Sequence, residues 1–127
     1  MNEQELKSRT KQFGLRVMNL VDALPKTTAG RAIGNQLVRS GTSVGANYRA
    51  ACRGRSKAEF IAKIGTVAEE ADESAFWLEM IIEGGLLKSE LVSALHQEAE
   101  ELAAILTASG RTAKTNNQQS KIGNLKC

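Results

Sequence analysis

Residues 30–57 read GRAIGNQLVRSGTSVGANYRAACRGRSK, and this stretch decides the fold. Ile33, Leu37, Val44, Tyr48 and Ala51 recur at steps of 3, 4 and 7 residues, the period of a helix with one apolar face. Gly34, Gly41 and Gly45 run along one edge of that face. An interior helical glycine costs up to about 1 kcal/mol against alanine, so several on one edge imply another backbone coming close. Two partners fit: another helix of the same chain, or a neighbouring subunit. Opposite Leu37 and Val44, the arginines Arg31, Arg39, Arg49 and Arg53 fall within about 80° of one another at 100° per residue. Thr42 and Ala46 give this strip a floor of small side chains, and Arg55 and Lys57 extend its charge. No acid lies between Lys26 and Lys57.

Outward from this segment the chain is amphipathic helix. Upstream, over about residues 3–24, Leu6, Phe13, Val17, Leu20 and Leu24 make one stripe, and Pro25 closes the helix because a residue before proline is pushed out of the α region. Thr27 or Thr28 supplies the N-cap of the second helix, and Gly54 ends it. Ser56 followed by Glu59 predicts a capping box that opens a third helix over about residues 57–83. Phe60, Ile64, Val67, Ala71, Leu78 and Ile82 are its expected inner stripe, and Gly84-Gly85 its stop. A fourth helix, opened by Lys88 or Ser89, carries Leu91, Leu95, Leu102 and Ile105 or Leu106, and Ser109-Gly110 is its expected end. Short connections make sequential helices antiparallel neighbours. The expectation is an all-α, up-down-up-down antiparallel four-helix bundle over 1–110, followed by a polar, basic, flexible tail over 111–127.

Composition supports this. Few aromatics and a single proline accompany abundant Ala, Leu and Glu, whereas β-branched and aromatic residues lead in strand proteins. Cys52 and Cys127 make no disulfide framework. No apolar run reaches the ~18 residues of a membrane span, and no signal peptide is read, so a reduced cytoplasmic protein is expected, with no membrane partner. The small net charge hides segregation. Residues 25–57 carry seven basic groups and no acid, whereas residues 58–84 carry Lys63 against seven acids.

Catalytic and metal chemistry find little to stand on. His96 is the single histidine and reads as a surface residue. Cys52 reads as a small core residue. Glu69, Glu70 and Glu73 lie off the apolar stripe and lack the Glu-x-x-His pairs of a carboxylate metal bundle. No phosphate loop is present. No enzyme, no metal and no cofactor are expected.

Two features point to partners. The arginine strip (Arg31, Arg39, Arg49, Arg53, with Arg55 and Lys57) suits a phosphate backbone, RNA or DNA, in salt-dependent contacts. Alternatively the strip pairs with the acidic face of the third helix, with neighbouring subunits or with an acidic protein, as an interaction scaffold. Phe76 lies among Glu69, Asp72 and Glu83, and Trp77 on the flank; both are candidates for a subunit interface, with Gly41 and Gly45 as a second seam. Trp77 equally reads as partly buried against a neighbouring helix. A basic face on one helix and an acidic face on the next suit a head-to-tail, ring-like homo-oligomer.

The run Gln36-Leu37, Arg39-Ser40, Ser43-Val44 and Ala46-Asn47, then Arg55-Ser56-Lys57 and Glu59-Phe60-Ile61 with the acidic third helix, resembles a bacterial four-helix-bundle family. That family is named for proteins encoded in intervening sequences of 23S ribosomal RNA genes. The similarity spans about residues 8–108 and implies an up-down bundle assembling as a homopentamer; it does not imply a catalytic activity. A related branch is the accessory variability protein of diversity-generating retroelements, a basic pentamer that binds nucleic acid and a reverse transcriptase. The resemblance makes Arg39, Arg49, Arg53 and Arg55 the positions for a similar role. Ala50-Ala51 departs from the Glu-Gly pair that many members carry there.

Overall fold

A computed structural model of the protein describes the backbone of residues 1–126 and the side chains of residues 1–117; Cys127 and the side chains of 118–126 lie outside the described residues. The described chain consists of four helices: α1 (Glu3–Asp22), α2 (Thr28–Cys52), α3 (Lys57–Glu83) and α4 (Ser89–Lys126). Each packs against the next in sequence, and α1 meets α4 sparingly. The expected all-α four-helix bundle is the observed architecture.

The core follows steps of 3 and 4 on every helix. Leu6, Thr10, Phe13 and Val17 come from α1, and Leu37, Gly41, Val44, Tyr48 and Ala51 from α2. Ile64, Val67, Ala71, Ser74, Leu78 and Ile81 come from α3, and Val92, Leu95, Ala99, Leu102, Leu106 and Ala113 from α4. Alternating 3 and 4 keeps one seam facing inward, as in left-handed bundles. Two inward positions differ by one residue from the sequence reading. Ile81, not Ile82, is fully buried, and Val92 takes the inner place while Leu91 faces solvent.

Polar side chains occupy three core positions, and each is satisfied. The Thr10 hydroxyl donates to the Leu6 carbonyl at 2.8 Å. The Ser74 hydroxyl reaches both the Ser40 hydroxyl across the α2–α3 seam and the Glu70 carbonyl, each at 2.9 Å. Unpaired, such buried hydroxyls would cost roughly 1–3 kcal/mol each.

The helix ends follow local chemistry. Asn2, Thr27 and Ser56 cap α1, α2 and α3 by accepting from the backbone N–H of Glu5, Gly30 and Glu59. Glu59 reaches back as a capping box requires, but its carboxylate accepts from the Arg55 N–H (3.1 Å), one residue before the cap. Gly85, with φ +66°, turns the chain out of α3; the Leu86 N–H then closes on the Ile81 carbonyl at 3.0 Å.

The fourth helix does not end at Ser109-Gly110. It runs on to Lys126, through residues the sequence reading assigned to a flexible tail. Gly110 is a packing glycine rather than a cap, since a Cβ there would sit 3.2 Å from Ile64 Cγ2. The core spacing passes through it to the buried Ala113.

Candidate nucleic-acid interface

The arginine strip is divided by what flanks α2. On the α1 side, glycines bring the backbones together. A Cβ on Gly41 would lie 2.8 and 2.9 Å from the Val17 methyls, and one on Gly45 would lie 3.3 Å from the Thr10 backbone. Gly41 is buried inside the chain against α1, the first of the two partners expected for these glycines, whereas Gly45 meets α1 and also lines the open α1–α2 groove. The reason is rotational: the glycine edge of α2 points at its nearest antiparallel neighbour.

On the α3 side, side chains span the seam. The Arg39 guanidinium donates to Glu70 (3.3 Å) and to Glu73, and Glu73 also accepts from the Trp77 indole N–H at 3.1 Å. Arg39 therefore belongs to an α2–α3 bridge. Its partners are Glu70 and Glu73, which face α2, and not the outer acids Glu69, Asp72 and Glu79. Trp77 is half-buried on this flank, edge-to-face with Phe76 at 5.0 Å.

The remaining basic residues stay exposed and form no ion pair among the described residues. Arg31 lies beside Asp22 and Lys26 at the far end of α2, about 33 Å from Arg53 at 1.5 Å per residue. Arg49 rims the α1–α2 groove with Lys7 and Lys11. Arg53 is the C-cap of α2, Arg55 lies in the connection, and Lys57 opens α3. So the bundle gathers Arg49, Arg53, Arg55 and Lys57 at one end and leaves Arg31 and Arg39 elsewhere.

Helix α4 arrives at the same end. Gly110 sits against Ile64, so in an antiparallel pair residue 117 comes level with Lys57. The α4 backbone continues nine residues further, about 13 Å. Arg111 and Lys114 are exposed on α4 just before residue 117, and the sequence beyond Gly110 holds four basic residues and no acid. The acids at this end are Glu3, Glu5 and Glu59. The Arg55 N–H and then Lys63 hold the Glu59 carboxyl below its ordinary range.

Cys52 borders this end as a half-buried free thiol. Burial, then a hydrogen bond with Glu3, pushes its pKa up, which leaves it protonated and weakly nucleophilic. Burial likewise raises Tyr48. His96 lies half-buried on α4 within 3.2 Å of Glu100. Among the described residues no three His, Cys, Asp or Glu side chains gather where they could hold a metal ion, and no helix is long and apolar enough to cross a membrane.

Residues 2–108 match the family model described as 23S rRNA-intervening sequence protein. Among solved structures, the chain is similar to a crystal structure of a protein with unknown function from the S23 ribosomal protein family of Bacteroides thetaiotaomicron. The TM-score is 0.80 and the identity 30%, with 87% of this chain and 99% of that one covered. No curated protein matches.

Proposed function

The chain belongs to the 23S rRNA-intervening sequence protein family, and on that premise we propose that it is a non-enzymatic accessory protein that binds nucleic acid through the basic end of its bundle. RNA, alone or within an RNA–protein complex, is the favoured ligand. One observation carries the reading. Arg53, Arg55 and Lys57 are exposed and outside any described ion pair at the end where the basic continuation of α4 arrives. Such a surface attracts phosphate by counterion release, with little dependence on base sequence.

The interface is smaller than the strip expected from the sequence. Arg39 is already engaged by Glu70 and Glu73, and Arg31 is too distant to share a contact with Arg53.

Fluorescence anisotropy with a labelled structured ribosomal RNA fragment tests the proposal. Wild type binds with an affinity that falls steeply with salt. The double variant Arg53→Ala/Arg55→Ala binds at least about tenfold more weakly, and its slope of log affinity against log salt drops by about 1.4–1.8, at 0.7–0.9 per lost contact. Unchanged binding by a variant with wild-type circular dichroism would overturn it. The Arg39 bridge favours a second reading, in which basic residues of this bundle meet carboxylates and the protein is an interaction scaffold. In that reading wild type does not retain RNA at 150 mM salt, a condition chosen near the physiological value.

A further inference from the structure

The α1–α2 groove opens beside the basic end of the bundle and has no function in the fold. It is a concavity of ≈ 570 Å³ whose lining holds Lys7, Lys11 and Arg49 and no acid. Between these cations the lining is small, with Gly14, Gly45 and Ala46. Leu15 (44% exposed) and Met18 (47%) stand in the same groove, two large apolar side chains that the core does not use.

The chemistry changes along the groove. Gly45 lies against Thr10 and Gly41 against Val17, so α1 and α2 run antiparallel here and Arg49 comes level with Lys7. Measured from Arg53 at 1.5 Å per residue, Arg49 and Lys7 follow at about 6 Å, Lys11 at about 12 Å, Leu15 at about 18 Å and Met18 at about 23 Å. The cations are next to the end that carries Arg53, Arg55 and Lys57, and the apolar side chains are farthest from it.

A nucleic-acid strand has both halves of this chemistry, charged phosphates and flat apolar base faces. In a duplex the base faces are stacked on one another, and Leu15 and Met18 would have nothing to meet. An unpaired strand exposes them, and Leu and Met side chains pack on bases. Resting on the reading of the basic end as a phosphate site, we propose that the α1–α2 groove holds the unpaired strand that continues from an RNA duplex bound at that end. Lys7 and Lys11 on one wall and Arg49 on the other hold its phosphates, and Leu15 and Met18 its leading bases. Lys7 to Met18 spans about 16 Å, room for roughly four or five nucleotides at ~3.4 Å each. The ligand class is thus a duplex with a single-stranded extension. Base faces are met rather than base edges, so the groove accepts any sequence.

Fluorescence anisotropy on three labelled RNAs tests this: a blunt duplex, and the same duplex with an extension of about five nucleotides at its 3′ or its 5′ ends. Wild type binds an extended duplex at least about tenfold more tightly than the blunt one, with a salt slope steeper by about 2, at ~0.7 for each of the three cations. Ala46→Trp fills the groove, and Leu15→Ser/Met18→Ser strips its apolar end. These residues are exposed, so circular dichroism stays as in wild type. Both variants lose the preference and keep wild-type affinity for the blunt duplex. Lys7→Ala/Lys11→Ala loses the preference together with about 1.4 of the slope. Equal affinity of wild type for blunt and extended duplexes would overturn the groove proposal and leave the basic end standing as a phosphate site. Binding of none of the three RNAs would overturn both. Folded variants that keep the preference would overturn the groove alone. So would a helical leucine–glutamate peptide that binds wild type and not Ala46→Trp while no RNA extension is preferred, which would give the groove to an acidic protein helix.

Discussion

The two flanks of α2 close by different physics. Toward α1, Gly41 and Gly45 let backbones approach, and the seam is tight because side chains are missing. Toward α3, the Ser40–Ser74 hydrogen bond and the Arg39–Glu70–Glu73 cluster span the gap with polar groups. The difference decides which arginines are available. An arginine beside a carboxylate-bearing neighbour is consumed by it. On the glycine flank Arg49 finds no acid and stays free. Basic residues on one helix are thus sorted by the helices on either side, which a net charge does not reveal.

Substitutions can break this contrast. The largest effect is expected at Gly41→Ala. Its methyl would overlap Val17, which is fully buried. Overpacking costs about 1–3 kcal/mol and the gain in helix propensity returns up to about 1, so urea denaturation should show a net loss of about 1–2 kcal/mol. Ser74→Ala comes next, at about 1 kcal/mol. It removes the hydrogen bond across the other flank while Ser40 keeps the Leu37 carbonyl as a partner. Gly65→Ala sharpens the comparison from the opposite side. Nothing lies within 4 Å of the added Cβ, so the same substitution that harms Gly41 should stabilise by about 0.5–1 kcal/mol. Smallest is Arg39→Ala, an exposed bridge that solvent screens, so urea denaturation should show little change. RNA affinity should barely change in that variant, whereas Arg53→Ala weakens it. Equal losses in the two would restore the undivided strip.

Much of the fold is legible in the sequence because a 3.5-residue rhythm survives projection onto a wheel. Phe13, Val17, Leu37, Val44, Ile64, Val67, Leu95 and Leu102 are inward in both sequence and structure. The helix starts at Glu3 and Lys57 and the caps Thr27 and Ser56 are equally visible, because they depend on neighbouring residues. What a wheel discards is position along the axis. Arg31 and Arg49 share an angle yet lie about 27 Å apart at 1.5 Å per residue, so an angular strip is not a site. A wheel also lacks the neighbouring helix, which is what claims Arg39. Gly110 shows a third limit. Glycine after a polar stretch resembles a stop, but the steps from Leu102 to Leu106 and on to Ala113 keep the core register, and that signal was there to be followed. Leu91 against Val92 is the same lesson at smaller scale, since two adjacent apolar residues leave the inner one to be chosen by register.

Of the four seams in this bundle, one has no loop across it. α1 and α4 are the first and last helices, they meet sparingly, and a single guanidinium straps them. Arg9 donates twice to Glu98 at 2.7 Å and once to Glu101 at 2.9 Å. That hydrogen-bonded pairing holds the Glu98 carboxyl below its usual range. A depressed carboxylate stabilises the fold above its unfolded pKa of about 4.3 and releases that stability as pH falls through the lower folded value. Acid therefore acts on this molecule as a key acts on a clasp. The unlooped α1–α4 seam is the one that acid should loosen, while the glycine seam continues to hold α1 against α2.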